Sequence, residues 1–153
     1  MVHATRLLQF SQQFRKFCNK QFTPLLEETG LSMREFHVLL FLINNPGYDT
    51  ARDITEFRGL AKSQVSQAVE LLCAKDLLQR MPDSTDRRVV HLTLTSTGQA
   101  LAQQAQVLQS RCYSRLLAGF TPQEEAQFHA LLSRVLDNGE TLETDSTQER
   151  NLI

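Results

Sequence analysis

The stretch from Thr50 to Gly98 constrains the fold of this chain more than any other, because helix, tight turn, helix and hairpin signals follow one another there without a gap. Thr50 can cap a short helix with Asp53 in its first turn, Ile54 inward and Gly59 closing it. Only Leu60 and its neighbours separate this helix from the next, in which Val65, Ala68, Val69, Leu72 and Cys73 hold the i, i+3, i+4, i+7, i+8 positions of one buried face. A turn that short sets the two helices at a steep angle, as in a helix-turn-helix. Leu77 to Met81 and Val89 to Thr95 then read as two strands, the second alternating Val90, Leu92 and Leu94 against His91 and Thr93. Between them, Pro82-Asp83-Ser84-Thr85-Asp86-Arg87-Arg88 has turn chemistry and ends in paired arginines.

Such a layout suits nucleic acid. The second helix of the pair leaves Ser63, Gln64, Gln67 and Glu70 outward, with Ser66 near the border. Gln bonds adenine bidentately and Ser serves as donor or acceptor, so this face fits base edges, although an ordinary solvated face has the same composition. Arginines at an exposed hairpin tip fit phosphates or a narrow minor groove, and they fit mere solubility as well. The net charge of −1 points away from DNA until it is resolved along the chain. Residues 1–119 hold 14 Lys+Arg against 10 Asp+Glu, whereas residues 120–153 hold 2 against 7, so the acidity sits at the C-terminal end. Binding needs local rather than global positive charge.

The flanks read as helices. From about Thr5 to Glu28, Leu7, Phe10, Phe14 and Phe17 form one apolar stripe, with Cys18, Phe22, Leu25 and Leu26 beside it. Pro24 bends this helix or restarts it with Thr23 as cap, and Gly30 is a plausible C-cap. Ser32-Met33-Arg34-Glu35 is a capping box opening a helix with Phe36, Leu39, Leu40 and Ile43 inward, stopped by Asn45-Pro46-Gly47. After the hairpin, Leu101, Ala105, Leu108, Cys112 and Leu116 make a near-heptad seam. Thr121-Pro122-Gln123-Glu124 opens a last helix ending about Asn138-Gly139, with Phe128, Leu131, Leu132 and Val135 inward. The expected fold is mainly α (α+β): a winged helix-turn-helix over residues 31–98 with a two-stranded β wing, flanked by dimerisation helices over residues 1–30 and 99–139. Residues 140–153 are expected to form a flexible acidic tail.

With 41% hydrophobic and 22% charged residues the chain can build one sizeable core. No apolar run reaches the roughly 18 residues of a membrane span, and no signal peptide opens the chain, so a cytoplasmic protein is expected. Cys18, Cys73 and Cys112 fit neither a disulfide framework nor a CxxC motif. The four histidines are dispersed, and no nucleophile elbow or Gly-rich phosphate loop occurs, so neither an enzyme, a metal site nor a cofactor is expected.

The order of elements and the wing motif resemble the multiple-antibiotic-resistance regulator (MarR) family of bacterial transcription factors. The match is carried by Pro24-Leu25-Leu26 with Gly30-Leu31-Ser32, by Asp53-Ile54 to Gly59-Leu60 with Ser63-Gln64-Val65-Ser66, and by Asp83 to Arg88 followed by Leu92-Thr93-Leu94-Thr95 and Gly98. The resemblance implies a homodimer presenting two winged modules to a pseudo-palindromic double-stranded DNA site, with half-sites roughly 34 Å apart. By position it implies that Ser63, Gln64, Ser66 and Gln67 read bases or contact phosphate and that Lys62 meets a phosphate. It puts Arg87 or Arg88 toward the minor groove, with Asp86 orienting its arginine neighbour. The chain departs from the family pattern at Ala61, where a capping Ser is frequent, at Gln67, where Arg is frequent, and at Arg58, where an apolar residue is usual.

The resemblance also implies regulation by a small amphipathic or phenolic ligand, or by cysteine oxidation. The sequence offers Phe14, Phe17, His37, Phe41 and Tyr113 as pocket candidates and Cys73 as the redox candidate, each of which also reads as plain core. The competing function is a winged-helix module for protein-protein assembly without sequence-specific DNA binding. Arg87 and Arg88 beside Lys62 discriminate against it, since assembly has no need of them.

Overall fold

A computed structural model describes the backbone of residues 3–150 and the side chains of residues 3–139. In chain order it contains α1 (Ala4–Thr29), α2 (Met33–Asn44), α3 (Ala51–Arg58), α4 (Lys62–Ala74), β1 (Leu78–Pro82), β2 (Val90–Leu94), α5 (Ser96–Leu116) and α6 (Pro122–Arg150). The two strands pair antiparallel with Arg80 opposite Leu92, giving the expected mainly helical fold with a two-stranded wing.

Local chemistry sets the boundaries. Ser32 and Thr50 each accept the amide three residues on while Glu35 and Asp53 bond back to them, so α2 and α3 open on complete capping boxes. Gly30 and Gly59 close α1 and α3 in the left-handed region, which glycine enters without a Cβ penalty. Helix α1 runs unbroken through Pro24, and Thr23 does not cap a restart: its hydroxyl donates to the Asn19 carbonyl 3.2 Å away.

Two compact units divide inside α5, between Tyr113 and Ser114. In the first, α2 is the central element, with Phe36, Val38, Leu39, Leu40 and Phe41 all buried. Ile54 of α3, Val65 and Leu72 of α4, Leu78 and Leu92 of the wing, and Ala102 and Ala105 of α5 complete the same core. Each large side chain here contributes about 1.5–3 kcal/mol relative to an exposed one, so the helix-turn-helix is held from behind by most of the unit. Glu35 is the one buried charge among the described residues, and Lys75 pairs with it at 3.1 Å. Burial pushes the Glu35 carboxyl up, but the Ser32 bonds and Lys75 outweigh this and hold it below the usual range.

The joint between wing and α5 is close-packed. A Cβ on Gly98 would lie 1.9 Å from the Leu77 carbonyl oxygen. Thr95 donates its hydroxyl to the Asp76 carbonyl at 2.7 Å and accepts the Gly98 amide at 3.0 Å, which caps α5.

The apolar stripe of α1, read from the sequence as part of a dimerisation region, is only half used within the chain: Phe22 and Leu25 are buried, whereas Leu7 (62% exposed), Phe10 and Phe17 are not covered by their own chain. Two expectations for α6 change. In the second unit Leu131, Val135 (64%) and Leu136 of α6 are similarly open, and only Phe128 and Leu132 of the expected inward row are partly buried. The end of the last helix is also corrected, because the α6 backbone continues through Asn138-Gly139 to Arg150. Gly139 has no left-handed φ to terminate it, and a helical glycine costs only about 1 kcal/mol against alanine. Residues 151–153 of the expected tail lie outside the described residues.

Candidate nucleic-acid interface

The turn between α3 and α4 is short because Gly59 reverses the chain, Leu60 tucks half-buried under it, and Ala61 already stands in extended N-cap geometry. On α4, Val65, Ala68, Val69 and Leu72 point into the core, which leaves Lys62, Ser63, Ser66, Gln67 and Glu70 exposed as one polar face. Gln64, expected among the outward readers, behaves differently. It is half-buried, its Oε1 accepts the Ala61 amide at 3.3 Å, and it borders a groove of about 450 Å³ with Ser32, Met33, Arg34, His37 and Leu60. With no side-chain acceptor on Ala61, the third residue of the helix supplies half of a capping box by itself.

At the wing tip, Asp83 Oδ1 accepts the Thr85 hydroxyl and the Thr85 and Asp86 amides at 2.6–2.7 Å, an Asx-type turn. The Thr85 hydroxyl first, then the Asp86 amide, His91 and the Thr85 amide, hold the Asp83 carboxyl well below the usual range. Asp86 in turn takes Arg88 in a fork, Nε to Oδ1 at 3.1 Å and one terminal N–H to Oδ2 at 3.0 Å. Of the guanidinium's five N–H donors two are committed to Asp86, and the others face solvent on a side chain 90% exposed. A pair so exposed adds little stability; its effect is to aim Arg88. The expected orientation of an arginine by Asp86 therefore falls on Arg88, while Arg87 is exposed with no ion pair among the described residues.

His91 is the residue that sequence reasoning passed over. Alternation along β2 put it on the solvent side, yet its Nδ1 lies 2.7 Å from Asp49 Oδ1 and its Nε2 3.1 Å from Asp83 Oδ2. Asp49 belongs to the stretch between α2 and α3, which β2 also meets through Leu92 N–H to Asp49 O at 2.7 Å and a bridge between Thr50 and His91. The Asp49 bond, then the Asp83 bond, raise the His91 imidazole above its ordinary value. The only hint in the sequence was a histidine among scattered aspartates, with nothing to show that they converge.

The ligand candidates meet different partners. Phe14 stacks on Phe10 at 6.0 Å, Phe41 tilts against Phe57 at 5.7 Å, Phe17 is exposed, and Tyr113 is half-buried on α5. His37 borders the groove beside Gln64, and burial followed by the nearby Arg58 charge pushes it down to about 4. A second groove of about 280 Å³ lies between α1 and α5, with Leu25, Val107 and Leu108 beside Gln104 and Arg111. Cys73 is half-buried against the core. Cys18 of α1 has Cys112 of α5 as its neighbour, and burial, then the Cys112 thiol, push Cys18 up to about 11. No group of three His, Cys, Asp or Glu able to hold a metal occurs among the described residues, and no described helix is long and apolar enough to cross a membrane.

Residues 29–89, the end of α1 through the wing tip, match the MarR family. The chain is 28% identical over 135 residues to the uncharacterized HTH-type transcriptional regulator YwaE of Bacillus subtilis, covering 88% of this chain and 77% of that one. It is 23% identical over 133 residues to the homoprotocatechuate degradative operon repressor of Escherichia coli, covering 87% and 89%. A solved transcriptional regulator of the MarR family from Silicibacter pomeroyi is 26% identical and covers 89% of each chain at a TM-score of 0.71.

Proposed function

We propose that the chain, whose residues 29–89 match the MarR family, is a DNA-binding transcriptional regulator of that family, acting as a homodimeric repressor of nearby genes in the cytoplasm and released by a small amphipathic or phenolic ligand. One α4 from each subunit enters the major groove of a pseudo-palindromic operator, where Ser63, Ser66 and Gln67 meet base edges and Lys62 a phosphate. Arg88, aimed by Asp86, and Arg87 reach the flanking minor groove. The Arg88 fork carries this reading, because it fixes a cation at an exposed tip where neither core packing nor stability calls for one.

The uncovered apolar rows of α1 and of α6 support self-association, since a second copy would bury them. The groove between α1 and α5 supports the ligand: apolar Leu25, Val107 and Leu108 suit a ring, and Arg111 suits a carboxylate. It is a better seat than the aromatic set around Phe14 and Phe41, because it joins apolar walls to a cation.

Purified protein used to select fragments from its source genome tests the reading. A recovered operator should bind with a steep salt dependence, and replacing both Arg87 and Arg88 with Ala should lower the log-log slope by roughly 0.9 for each phosphate no longer neutralised. Sedimentation at micromolar concentration should give a dimer. An unchanged slope refutes the role of the wing, and a stable monomer refutes the two-module arrangement.

A further inference from the structure

His91 faces an acceptor on each side of its ring, Asp49 Oδ1 at Nδ1 and Asp83 Oδ2 at Nε2. A neutral imidazole carries one N–H and one lone pair, so it satisfies only one of two ionised carboxylates and turns its lone pair on the other. Only the imidazolium donates to both. We propose that His91 is a proton-dependent positioning residue for the wing, and that its imidazolium locks the arginine-bearing tip to the helix-turn-helix in the arrangement that grips DNA.

The bonds connect the two ends without interruption. Asp49 is fixed to β2 by its own carbonyl, which accepts the Leu92 amide. His91 passes the constraint to Asp83, and Asp83 orders the turn by accepting from Thr85 and from the Asp86 amide. Asp86 holds Arg88. The aim of Arg88 thus depends on a ring several bonds away that itself touches no DNA. Other charges on the neighbouring elements are turned elsewhere: Asp53 of α3 to Thr50, Glu35 of α2 to Ser32 and Lys75, and Asp86 to Arg88. Arg80 of β1 stands opposite Leu92, not His91. The ring is 35% exposed, so a proton can exchange without unfolding.

The direction follows from linkage. His91 is raised above its ordinary value, so the clamp is complete below that value and is lost as the pH climbs through the folded one. Asp83 is lowered, so its share is present above the ordinary carboxylate range and lost only in strong acid. The wing is therefore locked below the ordinary histidine value and loosens as the pH rises past it, over a range in which no phosphate-binding Lys or Arg titrates.

The inference rests on the DNA-binding reading, and two measurements keep the failures apart. A histidine ¹⁵N NMR titration of the free protein should show both ring nitrogens of His91 protonated at the mildly acidic end, with a midpoint above the ordinary histidine value of about 6.5; a midpoint at or below that value overturns the proposal whether or not DNA binds. For binding, the duplex recovered in the genome selection is titrated from about pH 6 to about pH 9, across the histidine range. Wild-type affinity should fall about three- to tenfold over that span, the scale of one net hydrogen bond at a partly exposed site. His91→Gln should bind weakly and flatly throughout. Asp49→Asn, which keeps an acceptor at Nδ1 but removes its charge, should move the wild-type midpoint to lower pH. A His91→Gln protein that keeps the wild-type pH profile overturns the clamp while leaving DNA binding intact. An absence of binding by any protein at any pH refutes the DNA reading instead, and the NMR result then decides the clamp.

Discussion

Ala61→Ser should stabilise α4. Ala61 has φ −64° and ψ 141°, close to Ser32 at −73° and 156° and within the same extended region as Thr50 at −104° and 158°. At both of those positions the hydroxyl accepts the amide three residues on, at 3.3 Å to Glu35 and 3.2 Å to Asp53. The reverse half of the box exists at Ala61 already, through Gln64 Oε1. Ala61→Ser therefore needs no backbone movement and adds one acceptor at a helix end that lacks it. N-cap exchanges of this kind are worth about 0.5–2 kcal/mol. The lower half applies, because the Gln64 amide already has a 2.9 Å contact with the Ala61 carbonyl. With a urea slope of about 1–3 kcal/mol per molar, the midpoint should rise by roughly 0.2–1 M at unchanged slope. Protein concentration must be held fixed, since self-association would shift the midpoint by mass action. A midpoint that stays or falls refutes the cap geometry. Gln64→Ala completes the test: as a cap residue it loses stability and leaves operator preference intact, whereas altered preference at unchanged stability returns Gln64 to the base-reading face.

Gly98→Ala should destabilise by about 3 kcal/mol, because the new methyl meets the Leu77 backbone, which cannot rotate away, and this exceeds the roughly 1 kcal/mol that alanine gains in a helix; a neutral melt would refute the close approach. Cys18, held at about 11 by burial and by Cys112, should alkylate near neutral pH about a hundredfold more slowly than a free thiol, and labelling at the free-thiol rate would refute its pairing.

Elements whose stabilising contacts are local were legible. Ser32 with Glu35, Thr50 with Asp53, and Thr121 with Glu124 are three residues apart, and all three form the bonds their spacing implies. The turn chemistry of Asp83 is likewise readable, and so is most of the heptad-like row of α5, with Leu101, Ala105 and Cys112 buried and Leu108 half-buried, whereas Leu116 at its end is exposed. Contacts set by long-range convergence were not. Asp49 and His91 are 42 residues apart, and nothing local signals that a strand will carry one past the other. Cys18 and Cys112 were each read as small core residues, and their proximity needed α1 and α5 to be placed. Gln64 departs from the outward face because helix periodicity gives a direction for Cβ, while the long side chain folds back onto a helix end. Periodicity also told that Leu7 and Phe10 want a partner, but not that their own chain would fail to provide it.

The seam at Gly98 has a mechanical meaning. Gly98 lies directly against the Leu77 backbone with no side chain between them to act as a cushion, and the short Thr95 hydroxyl ties the same joint to the Asp76 carbonyl and the Gly98 amide. The first turns of α5 and the hairpin therefore move as one stiff lever. A signal that shifts α5 has no slack to consume before the wing follows, and it need not deform any part of the DNA-reading surface. In the proposed dimer, what remains adjustable between two such levers is their spacing. A duplex offers successive faces of its groove only at fixed intervals of about 34 Å, so an otherwise intact reader set at the wrong span loses its grip.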